Sequence, residues 1–427
     1  MKKILLVVLL IVLLGAGWVS ALTVQNADGV DFERAEAYME TARAQAALGG
    51  YGSAVDYANT ALKYADTADN ELFLADCYLA DGRTSDYADQ LQRVIRLWPE
   101  DVRAYESLST LYYDAGNYSS CATVCLSAYQ NGCATDELLE RYYETKFHYV
   151  VKSGSLLAAG AFHDGLALVQ LADECWYYMD SSMRAVVGPL EVASAPLGKV
   201  LGYRKDGKAG FYTADGAKYM DSDLEFDETW SLCDGLALVR CGSEYTFVNR
   251  GCKQTLGPFT DASCFSEGAA AVQANDQWWL IDKSGNRLSG GLQDVKLDSE
   301  RLCSVGGRIF ASSGSGYDLY DAAGELVAKT GFADARPFAG GVAAAVSNGT
   351  AWGFVKEDGT MLLDFQYEDA RSFSGDLAAV KIDGKWGFIL KSGRVVIEPT
   401  FEDAGCFASN KLAPVRLEDG WHYISLS

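Results

Sequence analysis

Three histidines occur in the chain, His148, His163 and His422, and none pairs with another at the short spacing that holds a metal ion. No C-x-x-C, H-E-x-x-H, P-loop or G-x-S-x-G arrangement is present. The serines of DSSMR (180–184) and SSGSG (312–316) lack a partner base and read as loops. What does recur is a carboxylate: Asp261, Asp334, Asp369 and Asp403 stand in one column of a repeated pattern, each followed by alanine. A repeated aspartate can bind a metal or act as a general acid. Its return in copy after copy favours a capping role, in which the side chain accepts backbone hydrogen bonds at a turn. A hydrolase built on these carboxylates is therefore the weakest of the functional expectations, and no catalytic residue, metal ligand or cofactor is assigned.

Eleven cysteines are an odd number, and their placement does not describe a disulfide framework. Cys121 and Cys125 fall at small positions of a helical pattern, and Cys264 and Cys406 precede Phe265 and Phe407 at equivalent places. Thiols packed as small apolar side chains account for this better than bridges. Cys241 and Cys252 are the pair to test first as a disulfide.

At 427 residues the chain is expected to form two or more domains, and 49% hydrophobic against 22% charged residues is ordinary for folded protein. The net charge of −22, spread over both halves, argues against nucleic acid, whose binding draws on clustered Lys and Arg. Lys2 and Lys3, an apolar run ILLVVLLIVLLG (4–15) and small residues up to Ala21 form the order of a secretory signal. Residues 1–21 are thus expected to be a signal peptide or membrane anchor, 22–34 a linker, and the rest to lie outside the cytoplasm, secreted or held at the membrane only through this segment if it is uncleaved.

Between residues 35 and 146 a pattern repeats. Gly49, Gly82 and Gly116 stand 33 and 34 residues apart, and Leu74 with Leu108, Ala54 with Tyr87 and Cys121, and Ala61 with Val94 and Ala128 keep step. Glycine suits the turn between two helices, and the small residues let those helices approach. Tyr105, Leu108, Ser109, Tyr112, Gly116, Cys121, Cys125 and Ala128 resemble the tetratricopeptide (TPR) repeat; the first copy departs from it at Thr41. Residues 136–149 read as a capping half repeat. The resemblance implies a helical solenoid whose concave face holds a peptide or partner protein. The candidate binding residues there are Arg43, Asp76, Arg103 and Tyr113, with Glu36, Asp69 and Thr110 in the same rows.

A second pattern fills 147–427. FAGGVAAAVSNGTAWGFVKEDGTMLLDFQYEDARSF (338–373) is followed by FSGDLAAVKIDGKWGFILKSGRVVIEPTFEDAGCF (373–407), and weaker copies run back to Phe162 and forward to the last residue. Eight units of three short strands are expected, joined by glycine turns. Trp386, Phe388 and Leu390 alternate with Gly387 and Ile389, so one face carries the bulk and needs a neighbouring unit to cover it. Glycine beside tryptophan is expected to leave room for that neighbour. Trp352-Gly353 and Trp386-Gly387, with Trp278 and Trp421, resemble the WG (KWG) repeats of bacterial β-rich proteins.

The last unit lacks its third strand, and residues 149–162 look like the end of a unit without a beginning. If the one completes the other, the array closes as a β-propeller-like ring; an open β-solenoid is the alternative. The fold class is then α followed by β, a helical solenoid and an all-β repeat domain. The functional expectation is a non-enzymatic scaffold or binding module for protein or peptide. Glycan or cell-wall binding through the aromatic-rich β domain is the second reading.

Overall fold

The computed structural model describes residues 31–221, 226–339 and 343–426; the expected signal segment lies outside them. The chain divides into two compact units at Lys146 and Phe147. Among the described residues the first is wholly helical. Residues 31–47 form α1, so helix already occupies the last part of the stretch expected as linker. It is followed by α2 (Tyr51–Ala61), α3 (Ala68–Ala80), α4 (Thr84–Leu97), α5 (Val102–Asp114), α6 (Tyr118–Gln130) and α7 (Asp136–Lys146).

Local chemistry sets these boundaries. Thr67 caps α3 by accepting from the Asn70 amide, and Asp101 caps α5 through the Arg103 amide. Gly49, Gly82 and Gly116 take φ of 78°, 77° and 68°, the left-handed conformation that ends a helix and that a Cβ disfavours. The columns of the repeat are its core. Met39, Ala54, Ala61 and Leu74 pack in one cluster, Tyr87, Val94 and Leu108 in the next, and Cys121, Cys125, Ala128 and Leu138 in the last.

The second unit holds eight sheets, in chain order blade 1 (158–190), blade 2 (192–221), blade 3 (228–259), blade 4 (261–282), blade 5 (294–332), blade 6 (334–367), blade 7 (369–401) and blade 8 (403–426). Blade 7 shows the plan: Asp369–Ala370, Leu377–Ile382, Lys385–Leu390 and Val395–Phe401 pair antiparallel in that order. Its central hairpin turns on Asp383 and Gly384, both at positive φ (50° and 78°), the turn that matches strand twist. The expectation of three strands per unit is one short. The Asp-Ala pair, read from sequence as a turn cap, also forms a two-residue innermost strand in blades 4, 6, 7 and 8, too brief for any alternation to betray it; blade 5 has Asp294–Val295 there. Blade 4 alone keeps three strands.

The ring closes. Tyr149–Val151 pairs with Gly420–Leu426 as the fourth strand of blade 8, with Tyr149 opposite Leu426 and Val151 opposite Ile424. Leu156 continues the pairing opposite Trp421, and Ala158–Ala159 then opens blade 1. Segment 149–162 is therefore the outer strand of one blade and the first strand of the next, and the open solenoid is excluded. At the seam the Tyr423 hydroxyl donates to the Gly160 carbonyl at 2.7 Å, and its ring meets Phe162 edge-on at 5.0 Å.

The β core lies between blades. Phe354 and Tyr367 of blade 6 pack with Ala370, Phe373, Val380 and Ile389 of blade 7; Leu238 and Phe247 of blade 3 pack with Phe265 and Val272 of blade 4. Trp352 lies against the first of these clusters and Trp421 against the seam cluster of blades 8 and 1, while Trp278 and Trp386 are buried at 6% and 4% exposure. Each blade is thus sealed by the next, as a large aromatic on a three- or four-stranded sheet requires.

The glycine of the repeat serves a different contact from the one expected. A Cβ on Gly387 would stand 2.5 Å from the Ile397 carbonyl oxygen, and one on Gly353 2.8 Å from that of Leu363. Both obstacles belong to the outer strand of the same blade, which bulges between the residues facing Trp386 and Phe388, or Trp352 and Phe354. Where the middle strand lacks this glycine, the bulge supplies it. Gly188 faces Tyr177 in blade 1, and Gly257 faces Thr246 in blade 3. That exchange explains why the early units depart from the Trp-Gly signature yet keep the shape.

Candidate functional site

Of the four helical residues singled out from sequence, three are engaged within the chain. Arg43 contacts Glu36 at 2.7 Å. Arg103 bridges repeats, reaching Asp69 on α3 at 2.7 Å while binding Asp101 at 2.6 Å. The Tyr113 hydroxyl donates to Glu144 on α7, and the Arg141 guanidinium lies 5.8 Å from the Tyr113 ring. Asp76, on α3, makes no hydrogen bond or ion pair among the described residues, and desolvation holds its carboxyl above the ordinary value.

Sequence reading missed the contribution of α7. Counting 34 residues on from Arg103 and Thr110 reaches Glu137 and Glu144, which extend both rows. Arg141 between them donates to Thr110 at 2.8 Å, to Ser109 at 2.9 Å and to Glu137 at 3.0 Å. The first helices α3, α5 and α7 are thereby laced by exposed polar contacts into one continuous surface.

A buried polar network lies behind it. Glu71 on α3 is fully buried, accepts from Gln90 and Arg93 of α4, and Arg93 also holds Asp66 at 2.6 Å. Burial pushes the Glu71 carboxyl up to about 7, against the opposing pull of Arg93.

In the β unit the carboxylate column is a structural ladder. Lys296 of blade 5 contacts Asp334 of blade 6 at 2.8 Å, Arg336 of blade 6 contacts Asp369 of blade 7 at 2.7 Å, and Arg371 of blade 7 contacts Asp403 of blade 8 at 3.2 Å. Each cation also covers an aromatic ring of its own blade: Tyr317 at 4.3 Å, Trp352 at 4.8 Å and Trp386 at 5.0 Å. Burial, followed by the neighbouring charge of Arg371, lowers the Arg336 guanidinium pKa. Each aspartate Oδ1 also accepts the amide of the following alanine at 2.8 Å, so the expected cap is present, with an interblade ion pair added.

Aromatic platforms for a sugar need an open face. No tryptophan among the described residues is exposed, and Arg287 lies 3.6 Å from the Trp279 ring. His422 bonds Asp419 at 2.9 Å and the Ser153 carbonyl at 3.2 Å, and His163 meets Glu300 at 2.7 Å. All eleven cysteines are free. Cys241 and Cys252 flank opposite ends of the strand Glu244–Asn249, about 20 Å apart by strand rise, which rules out the bridge suggested for them. Among the described residues no cluster of three or more His, Cys, Asp or Glu could hold a metal, and no helix is long and apolar enough to cross a membrane.

Comparison with known proteins adds the following. The family described as WG containing repeat matches residues 352–386 and 386–421. No curated protein matches the chain. Among solved structures, BamB from Moraxella catarrhalis is similar over 65% of this chain and 97% of its own, at 13% identity and a TM-score of 0.42. The helical unit is similar to the Sgt2 TPR domain from Aspergillus fumigatus, at 18% identity and a TM-score of 0.23 over 26% of this chain and 76% of that one. It is also similar to the Arabidopsis OM64 TPR domain, at 16% identity and a TM-score of 0.24 over 28% and 98%. The chain carries two WG-containing repeats, in blades 6 to 8 of a closed eight-bladed ring, behind a TPR-like helical unit.

Proposed function

We propose that the protein is a non-enzymatic scaffold that binds a protein or peptide partner outside the cytoplasm. The observation that carries this reading is the laced surface of α3, α5 and α7, where Arg103, Arg141 and Tyr113 are fixed by neighbouring repeats and Asp76 is left unmatched. A rigid polar surface without a nucleophile and base is suited to recognition and has no chemistry to offer. The propeller supports the same reading: its ionic column is consumed in holding blade to blade. The order of residues 1–21 supports export.

The test is recovery of partners with the intact chain from its native cells, in parallel with Asp76→Lys and Arg103→Glu. Loss of the same partner in both variants, with unchanged melting, is expected. Identical recovery by wild type and both variants would contradict a role for this face.

A further inference from the structure

Blade 5 differs from its neighbours in one respect. Twelve residues separate its innermost strand, ending at Val295, from the next strand at Arg308, whereas six separate Ala370 from Leu377 in blade 7. The extra length does not loop into solvent. Its backbone turns back over blade 4, where the Cys264 amide donates to the Arg301 carbonyl at 2.7 Å and Leu302 bridges Cys264 in parallel. Arg301 binds Asp261 and the Ala262 carbonyl of blade 4 and lies 4.8 Å from the Tyr245 ring of blade 3. At the tip, Glu300 Oε1 is 2.7 Å from His163 Nε2.

His163 belongs to blade 1. In a ring of eight, blades 1 and 5 are four steps apart and face one another across the axis, so a direct contact between them requires the 297–303 segment to span the centre. The thiols of Cys406 in blade 8 and Cys233 in blade 3 both feel the Glu300 charge, which places the segment within reach of those blades as well. The axial opening that a propeller ordinarily leaves is closed at this face by the chain itself.

We propose that segment 297–303 is a proton-controlled plug of the propeller axis, latched to the far side of the ring by His163 and Glu300 and loosened as pH rises from acid. Two groups set the direction. Asp298 accepts from the Glu300 and Leu302 amides at 2.9 and 2.8 Å and shapes the tip; burial, then the Glu300 charge, pushes its carboxyl up to about 6. Burial opposes a charge on His163, but the Glu300 hydrogen bond, with the charges of Glu300, Asp298 and Asp164, outweighs it and holds the imidazole above its ordinary value. Both groups therefore bind protons more tightly when the plug is seated than when it is released into water. The closed state is favoured at acid pH and loses that advantage as pH rises through these values.

The other titratable groups facing Glu300, Asp298 or His163 are Cys233 of blade 3, Cys264 of blade 4, Cys406 of blade 8, Asp164 of blade 1 and, on the segment itself, Cys303. Burial raises the four thiols, so they stay neutral across this range.

Hydrogen exchange of the 297–303 amides in the full chain, corrected for the intrinsic pH dependence of exchange, tests this. Protection is expected to fall about tenfold between pH 5.5 and 8.5, since one unit of differential proton affinity is a factor of ten. Asp298→Asn keeps the oxygen that accepts from the two amides and Glu300→Gln keeps a partner for His163, so each should remove part of the slope and the double variant should flatten it. Equal protection at both pH values in wild type, or an undiminished slope in both single variants, overturns the proposal.

Discussion

Arg336 in blade 6 contacts Asp369 in blade 7 at 2.7 Å while its guanidinium lies 4.8 Å from the Trp352 ring of its own blade. The repeated tryptophan thus does two jobs. Its body closes the interface to the next blade, and its face carries the cation that pins the two together. Arg336→Gln should destabilise the propeller by about 1–2 kcal/mol, the combined worth of a partly buried ion pair and a cation on a ring. Trp386→Ala should cost more, about 3–5 kcal/mol, because it empties a buried site. Urea midpoints of the intact chain, followed by peptide-resolved hydrogen exchange, separate the two; equal midpoints would refute the ranking.

The bulge gives a sharper steric test. Gly387→Ala places a methyl 2.5 Å from the Ile397 carbonyl oxygen and should destabilise blade 7 by about 1–3 kcal/mol, as overpacking does. Gly290→Ala, where no atom lies within 4 Å, should stay within about 0.5 kcal/mol of wild type. Melting temperatures of the two variants suffice to check the contrast.

Glu71 makes the helical unit sensitive to acid in an unusual sense. Its carboxyl is raised from 4.5 to about 7 on folding, so its stabilising contribution is complete below pH 4.5 and is lost as pH rises through 7. Protection of α3 and α4 should accordingly increase from pH 7.5 to pH 5, by roughly 2 kcal/mol from this group. Glu71→Gln should remove the difference. A wild-type and variant pair with parallel pH profiles would show that Glu71 is ionised throughout.

Much of this architecture is legible in the chain because repeats report themselves. Gly82 and Gly116, Leu74 and Leu108, and the Trp-Gly pairs of blades 6 and 7 recur at fixed spacing, and each column proved to be a helix turn, a helix core or a blade core. The ring closure was readable from an orphan strand at the start of the array and a missing one at its end. Three things were not. A two-residue strand such as Asp369–Ala370 is too short for any periodicity. The exchange of glycine between Gly387 and Gly257 is visible only when two strands face one another. The His163 and Glu300 contact joins residues 137 apart through a segment that breaks the repeat, and insertions carry no pattern to read. The helical face was partly legible: Arg43, Asp76, Arg103 and Tyr113 were picked out by counting, but Glu144 and Arg141 of α7, which engage Tyr113, were not.

The direct test of the closed, neighbour-sealed ring is a cross-link at its seam. Val150 lies opposite Ser425, and antiparallel partners stand about 4.5–5.5 Å apart at Cα, within the reach of a disulfide. In the doubly substituted Val150→Cys, Ser425→Cys chain, mild oxidation followed by peptide mapping should find these two positions joined within one molecule. Unlinked positions, or links formed only between molecules, would mean that the first strand does not complete the last blade.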